Sequence, residues 1–596
     1  MKKILWSIST TVRNPERVIN FLRILKQLDG EGFNEENQIK FQILLIKNRL
    51  YLPSDIPQTY KDLFKDLTKD ISYEVAEEVF HAQKYPEPAM RGRMSAAPLS
   101  KLGFSIAKKS IGKVKITSLG NLYLSPDADV GYIFFKSMLK LQFPNPISED
   151  FNEKRGFDIQ PFIALMHLMK KTDGLSQTEF SLFVPTLINY RDIDNYAQRI
   201  ANYRTLPSKK KESYAIDFLK EFYGVSDLTE KQKSNPFEYG DNSMRYFRLT
   251  KYFRVVKNTF GHWSVELEPS RMKEIDQLLS LYDGSAKRFS STDDYVEYIS
   301  DINVPALPWE TDVARSREVA QSLWSIITRD YSHLRASLKP ELHSRYEELA
   351  RVELEKLELN KLRSHIENLR TIRLELLLAG RDRSLRRNIN ELKVIISIFK
   401  DKSKMKKVDP LDFEHLISQC LKILNDEILI KPNCIFDDEG KPIGFAPGNR
   451  ADIEGYYESF NSIIEVTLDV SRNQVYRESM PVMRHLKDFQ DRHSDKPAYC
   501  IFISPKVHDD TMEYFWVAVT NGFKGSKQKI VALELAEFVN ILECFISLIE
   551  QDKPFDHKNM LSLFESIVSD VNVKNSSVDW FRNVSLNISK WESSLV

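Results

Sequence analysis

The hexapeptide Ile463-Ile-Glu-Val-Thr-Leu468 sets a carboxylate in the middle of what reads as a buried strand. Burying a charge costs several kcal/mol unless a partner offsets it. The strand must therefore turn Glu465 to water, or bring a cation or a mobile proton to it. Asp452 stands thirteen residues earlier, just after a Pro-Gly-Asn turn at 447–449. The surrounding pattern limits the fold further. From about residue 401 the chain reads as a helix (Pro410 to Leu424), a short strand at Ile428-Leu-Ile and a turn at Asp438-Glu-Gly. The strand 463–468 follows, then a helix from about Val475 to Phe489 and a wholly apolar strand, Ala498 to Ser504. Lys529-Ile-Val-Ala-Leu is a further strand, and the helix Glu534 to Glu550 follows it. Strands alternating with helices predict an α/β domain over 401–596.

A chain of 596 residues is too long for one core. Residues 1–300 mix short helices with small strand pairs. Asn14-Pro15 starts a helix whose apolar residues (Val18, Phe21, Leu22, Leu25, Leu28) share one face. Lys113 to Thr117 alternates, turns at Gly120-Asn121 and resumes at Leu122, a strand–turn–strand that predicts the wing of a winged helix. A second such unit is expected later. Ser176 and Glu179 form a capping box. Met244 to Val256 leads to a strand pair with Gly261 in its turn. Two winged-helix-like subdomains, about 1–145 and 146–300, are therefore expected. The proline-rich exit at 301–309 opens a helical linker, 301–400, in which Arg351 to Leu362 reads as a charged amphipathic helix. The fold class expected is multidomain α+β.

The net charge of +1 excludes a uniformly basic nucleic-acid binder but not local patches. Between Lys84 and Lys115 eight basic residues face one acid, Glu87. Later, Arg245, Arg248, Lys251 and Arg254 interleave with Tyr246, Phe247, Tyr252 and Phe253, so that aromatics can pack inward while cations face phosphates. A solvated face is the bland reading of the first pattern, as of most charge runs, and an ordinary amphipathic helix accounts for the second equally well. Arg91, Arg93 and Lys101, then Arg13, Arg245 and Arg248, are the candidates for DNA contact. Four cysteines with no metal spacing read as reduced thiols, and no signal peptide or membrane span is evident, so a cytoplasmic protein without a membrane partner is expected.

Asp452 and Glu465 on neighbouring strands can share one Mg²⁺, which would offset their repulsion and polarise a phosphoryl oxygen. The spacing has the layout of the PD-(D/E)xK nuclease core. Ala451 stands where that motif has Pro, and Thr467 where it has Lys. A Lys there would orient water or stabilise developing charge. Glu478, thirteen residues after Glu465, and His485, two helical turns further, are the candidates to replace it. Glu414 on the preceding helix is a fourth acid. Glu454, Glu458 and Asp469 read as surface. On spacing alone, an edge-strand Glu facing solvent and an Asp in an Asx turn fit as well.

Gly448-Asn-x-x-Asp452, Glu465-Val-Thr, Glu478-Ser-x-Pro-Val-x-Arg484-His485 and Tyr499-Cys-x-Phe-Ile-Ser-Pro505 together resemble the AlwI family of type IIS restriction endonucleases, which includes strand-nicking enzymes. The amino-terminal Trp6 to Arg17 and the Arg91 to Gly103 segment agree. The resemblance implies an N-terminal recognition region, a helical linker and a C-terminal cleavage domain. It implies double-stranded DNA as partner, a short asymmetric site of the GGATC or GAGTC kind, and cleavage a few base pairs outside it with Mg²⁺, for which Mn²⁺ can substitute. The family's metal-site residues fall on Glu414, Asp452, Glu465 and Glu478, with the Val466 carbonyl as a further ligand and His485 nearby. The family itself carries Glu-Val-Thr. One nuclease motif per chain means that a monomer nicks, and that double-strand cleavage needs a second subunit or a transient dimer. Two other classes compete. One is a non-catalytic winged-helix regulator, which would not need the three acids together. The other is a glycosidase, which would want more sugar platforms than Tyr456 and Tyr457.

Overall fold

In the computed structural model, residues 2–9, 11–65, 69–125, 128–148, 150–257, 263–335, 338, 340–424, 427–446, 450–571 and 576–595 are described. Two compact units divide the chain. The first comprises Met1–Pro57, Ile71–His333 and Pro340–Arg373, and the second Gln58–Asp70, Leu334–Lys339 and Leu374–Val596.

The first unit is mostly helical. Its helix Glu35–Lys47 packs on Pro88–Lys101 at Gly92, where a Cβ atom would lie 1.9 Å from the Gln38 carbonyl oxygen. The Ser95 hydroxyl donates to Gln42 at 2.8 Å in the same contact. The expected capping box is present: Ser176 and Glu179 satisfy each other's backbone at the start of Gln177–Phe183. The helix Glu230–Leu249 delivers Tyr246 and Phe247 to the core, and Phe253–Lys257 then pairs antiparallel with Trp263–Leu267. Leu175–Ser176 adds a third strand. The Gly261 turn lies outside the described residues.

Two expectations need correction. Residues 118–123, read as the second strand of a wing, form the helix Ser118–Tyr123. The Thr117 hydroxyl caps it by accepting from the Gly120 N–H at 2.9 Å, and Gly120 serves close packing, since a Cβ there would stand 2.0 Å from the Phe104 carbonyl oxygen. Lys115–Ile116 pairs instead with Ser105–Ile106. Second, 351–362 is not one helix. Pro340–Ala350 ends, a 3₁₀ turn occupies Leu354–Lys356, and a new helix begins at Leu359. The Arg317 guanidinium donates to the Leu354 and Glu355 carbonyls at 3.2 and 3.3 Å, taking acceptors that a continuous helix would use.

The second unit is built on a five-stranded sheet. In chain order its elements are α1 (Pro410–Leu424), β1 (Leu429–Pro432), β2 (Ile453–Tyr456), β3 (Asn461–Val466), α2 (Met480–Arg492), β4 (Ala498–Ser504), α3 (Asp509–Asn521), β5 (Ile530–Glu534) and α4 (Leu535–Glu550). The strand order is β5-β4-β3-β2-β1. β3, β4 and β5 run parallel, while β2 is antiparallel to both β1 and β3. Every residue of β3 and β4 is buried, as central parallel strands covered by helices require. β3 is thus the middle strand, so the edge-strand reading of Glu465 fails. The helices His557–Asp570 and Ser577–Leu595 complete the core through Phe564, Ile567, Trp580 and Ile588. All four cysteines are free thiols, and no described helix is long and apolar enough to cross a membrane.

Candidate active site

β2 and β3 set Asp452 and Glu465 against each other. Ile453 and Ile464 are register partners, so the next pair outward is Asp452 and Glu465. Val466 closes β3, and its N–H donates to Asp452 Oδ2 at 2.8 Å; the Asp452 N–H donates in turn to the Glu465 carboxylate. Asn433 fixes the approach, donating from its backbone to the Asp452 carbonyl and from Nδ2 to the Ala451 carbonyl, both at 2.9 Å. The Gly448-Asn449 turn before Asp452 lies outside the described residues.

Glu478 enters from a π-helical turn, Val475–Ser479, that leads into α2. Such turns re-aim side chains and recur at functional sites. The Thr467 hydroxyl, at the position of the motif's Lys, hydrogen-bonds the Glu478 carboxylate. His485, on α2, places Nδ1 2.8 Å from Glu465 Oε1, and its Nε2 is buried without a partner. Glu414, on α1, is buried, and its Oε2 makes no hydrogen bond.

The electrostatics follow from this crowding. Burial, then the charges of Asp452, Glu465 and Glu478, push the Glu414 carboxyl up to about 10. Burial followed by Glu465 raises Asp452 well above the carboxylate range, and burial followed by Glu478 does the same for Glu465. Glu478 is raised by burial, although part of its surface stays open to solvent. Burial, with Arg484 next, lowers His485 to about 4. The His485–Glu465 contact is therefore a hydrogen bond of a neutral imidazole rather than an ion pair. With Glu465 protonated, as burial favours, its hydroxyl donates to Nδ1; with Glu465 ionised, the Nδ1–H donates to it.

The donor set is all oxygen apart from His485, suits a hard divalent cation, and includes an orphaned buried oxygen on Glu414. Among the described residues, no three His, Cys, Asp or Glu groups are already arranged to hold a metal ion. The donor chemistry fits such an ion; the side chains do not form a ready-made cage.

Two acids read as surface are otherwise placed. Glu454 lies inside the sheet at 1% exposure, hydrogen-bonded by the Tyr456 hydroxyl at 3.0 Å. Asp469 is half-buried and pairs with Arg477 at 3.2 Å. Glu458 is exposed. Sequence reading gave no role to Arg484, whose charge acts on Glu465. Its only signal was its place beside His485.

The six DNA-contact candidates, all in the first unit, separate into two groups. Arg93 and Lys101 line a cleft of about 820 Å³ together with Lys2, Lys3, Lys108 and Arg155. Arg93 donates to Gln38 at 3.1 Å, and Arg91 lies over the Tyr85 ring at 4.4 Å. Lys101 turns inward. Its Nζ donates to the Ser7 carbonyl at 2.9 Å and sits 4.9 Å from the Phe151 ring, and burial lowers its pKa to about 8. Arg13 and Arg245 belong to the other group, where they pair with Glu238 at 2.7 Å and Asp241 at 3.0 Å. Arg248 is half-buried near Glu16.

The acids thus gather at adjoining strand ends of an α/β core. The chain belongs to the AlwI restriction endonuclease family, whose profile matches residues 100–541. Among solved structures it is similar to the small subunit, R.BspD6I2, of the heterodimeric restriction endonuclease R.BspD6I, with 21% identity and a TM-score of 0.27, covering 34% of this chain and 100% of that one. It is also similar to restriction endonuclease FokI, with 10% identity and a TM-score of 0.22, covering 92% of this chain and 97% of that one. FokI bound to DNA matches with the same identity and TM-score, covering 96% of that chain. No curated protein matches the chain.

Proposed function

We propose that the protein is a type IIS endonuclease that binds a short asymmetric DNA site of the GGATC or GAGTC kind and hydrolyses phosphodiester bonds a few base pairs outside it. In an enzyme of restriction endonuclease family, the observation that carries the reading is the meeting of Asp452 and Glu465 at the ends of β2 and β3, with Glu478 and Glu414 close enough to perturb them. The second unit is read as a PD-(D/E)xK-type cleavage domain. The strand pair Phe253–Lys257 and Trp263–Leu267, with the helices before it, supports a winged-helix reading of residues 146–300. The basic cleft around Arg93 supports DNA recognition in the first unit.

Asp452 and Glu465 would hold a Mg²⁺ ion, with Mn²⁺ as a substitute, and Glu414, Glu478 and the Val466 carbonyl complete the donor set. Bound there, the ion supplies Lewis-acid polarisation of the phosphoryl oxygen and a more acidic water. The chain's own residues divide the remaining work. His485 is a positioning residue: its Nδ1 is tied to Glu465 and sets the direction of that carboxylate. Glu478, oriented by Thr467 and partly open to solvent, holds the attacking water. It thus takes the place of the absent Lys. One such centre per chain cuts one strand, so a monomer nicks, and double-strand cleavage requires a second subunit.

Incubating plasmid with the protein and Mg²⁺ should yield nicked or linear DNA at one short site, and EDTA should stop it. Glu465→Ala should abolish cutting with binding retained. Cutting by that variant, or binding without cutting in both Mg²⁺ and Mn²⁺, would overturn the assignment.

A further inference from the structure

Beside the carboxylate centre lies a second charged cluster, of opposite sign. Glu454 sits two residues beyond Asp452 on β2, on the same face of the sheet, about 7 Å along the strand. Its register partner on β1 is Lys431, whose Nζ stands 3.7 Å from the Glu454 carboxylate. Arg492, the last residue of α2, reaches the same carboxylate at 3.5 Å and lies over the Phe489 ring at 5.6 Å. The Arg492 Nε also donates to the Asp488 carbonyl at 3.3 Å. Tyr456 donates its hydroxyl to Glu454 at 3.0 Å, and the charges of Arg492 and of exposed Arg450 both act on that phenol.

One buried carboxylate needs one cation. Two cations pair with this one, and both contacts are longer than the roughly 2.7–2.9 Å of tight charge-assisted hydrogen bonds. Lys431 and Arg492 keep 47% and 45% of their side-chain surface open. Their heads are held in place without being used up. Glu478, His485 and Arg492 recur every seven residues, so one stripe runs from the acids to the cations, advancing about 10 Å per seven residues once in the helix. Successive phosphates of one DNA strand lie about 7 Å apart through space, the step of about 3.4 Å being only its component along the helix axis, so separations of about 7–10 Å correspond to one or two phosphates.

We propose that Lys431 and Arg492, joined by Arg450 and anchored on Glu454 and Tyr456, grip phosphates of the strand being cut, one to two nucleotides from the scissile bond. This rests on the nuclease reading above. A purely structural ion network would affect melting but not the response to salt. Neutralising a phosphate contact removes a released counterion and lowers the salt slope by about one.

The cut position is first mapped with the wild-type protein and Mg²⁺. Lys431→Gln, Arg492→Gln and the double variant are then assayed across a salt series, with melting curves as the folding control. The expected result is a higher KM, a kcat near wild type, and a log–log salt slope for kcat/KM shallower by about one per cation removed. A neutral methylphosphonate placed one or two nucleotides from the cut should slow the wild type and leave the double variant unaffected. Unchanged KM and slope in variants that melt like the wild type, or equal slowing of both proteins by the methylphosphonate, would overturn the clamp. Lys431, half-exposed on an edge strand, keeps the test open if Arg492→Gln destabilises the fold. If the wild type cuts and Glu465→Ala does not, a negative result removes the clamp alone. A wild type that never cuts removes the nuclease reading with it.

Discussion

Glu465→Gln should do two opposite things: stop cleavage and make the metal-free protein more stable. Glutamine keeps the shape of the side chain and an oxygen to accept from the His485 Nδ1–H, but removes the charge that opposes Asp452. Residues facing each other on adjacent strands lie about 5 Å apart, where two unit charges at an effective dielectric of about 20 repel by about 3 kcal/mol. Proton uptake by the wild-type cluster caps that penalty, so the relief is about 1–3 kcal/mol. In a unit of this size each kcal/mol moves the melting midpoint by about 2–4 °C. A rise of about 3–8 °C in EDTA is therefore expected by scanning fluorimetry. Added Mg²⁺ should raise the wild-type midpoint, because a ligand bound by the native state stabilises it, and should close the gap to the variant. A variant that melts below wild type in EDTA would refute the reasoning. It would show that His485 and the surrounding backbone already compensate the charge and that no cation is needed there.

Other outcomes follow from the same structure. Thr467→Val removes the hydroxyl that orients Glu478, and kcat should fall about tenfold, equivalent to about 1.4 kcal/mol, with KM little changed in single-turnover cleavage. Gly92→Ala must push apart two packed helices, because the new Cβ would meet the Gln38 carbonyl oxygen at 1.9 Å; overpacking of this kind costs about 1–3 kcal/mol, read as a lower melting midpoint and weaker DNA retention. Lys140 is buried, donates to the Asp301 carbonyl at 2.6 Å and is lowered to about 7, chiefly by burial and then by Lys136. Its folded pKa lies below its unfolded value, so the cost of charging it is complete below about pH 7 and fades as pH rises toward about 10.5. Lys140→Met should therefore stabilise most near pH 6 and least near pH 10, as melts at the two pH values would show.

The α/β core could be read from the sequence because its strands are short apolar runs and its helices carry clean stops. Ala498 to Ser504 has no polar residue before its end, and a strand like that has only the interior to occupy. Asp452 and Glu465 were visible for the opposite reason, as charges where the pattern forbade them. Glu454 was missed because its anchoring depends on Lys431 and Arg492, which lie 23 and 38 residues away and meet it only once sheet and helix are in register. The inward turn of Lys101 was hidden for a similar reason. Nothing near it in sequence announces that Ser7 and Phe151 will enclose its ammonium. The wing at 113–124 failed because two short-range patterns competed. Alternation favoured a strand, while the Thr117 cap and the space available only to Gly120 favoured a helix.

Glu414, Asp452, Glu465, Glu478 and His485 all come from the second compact unit, as do Lys431, Arg450 and Arg492. On the proposed roles, heredity can treat the two units separately. Substitutions confined to the first unit change the address at which the protein acts, leave the hydrolytic apparatus intact, and give a lineage a way to drift from one DNA sequence to another without passing through a dead enzyme.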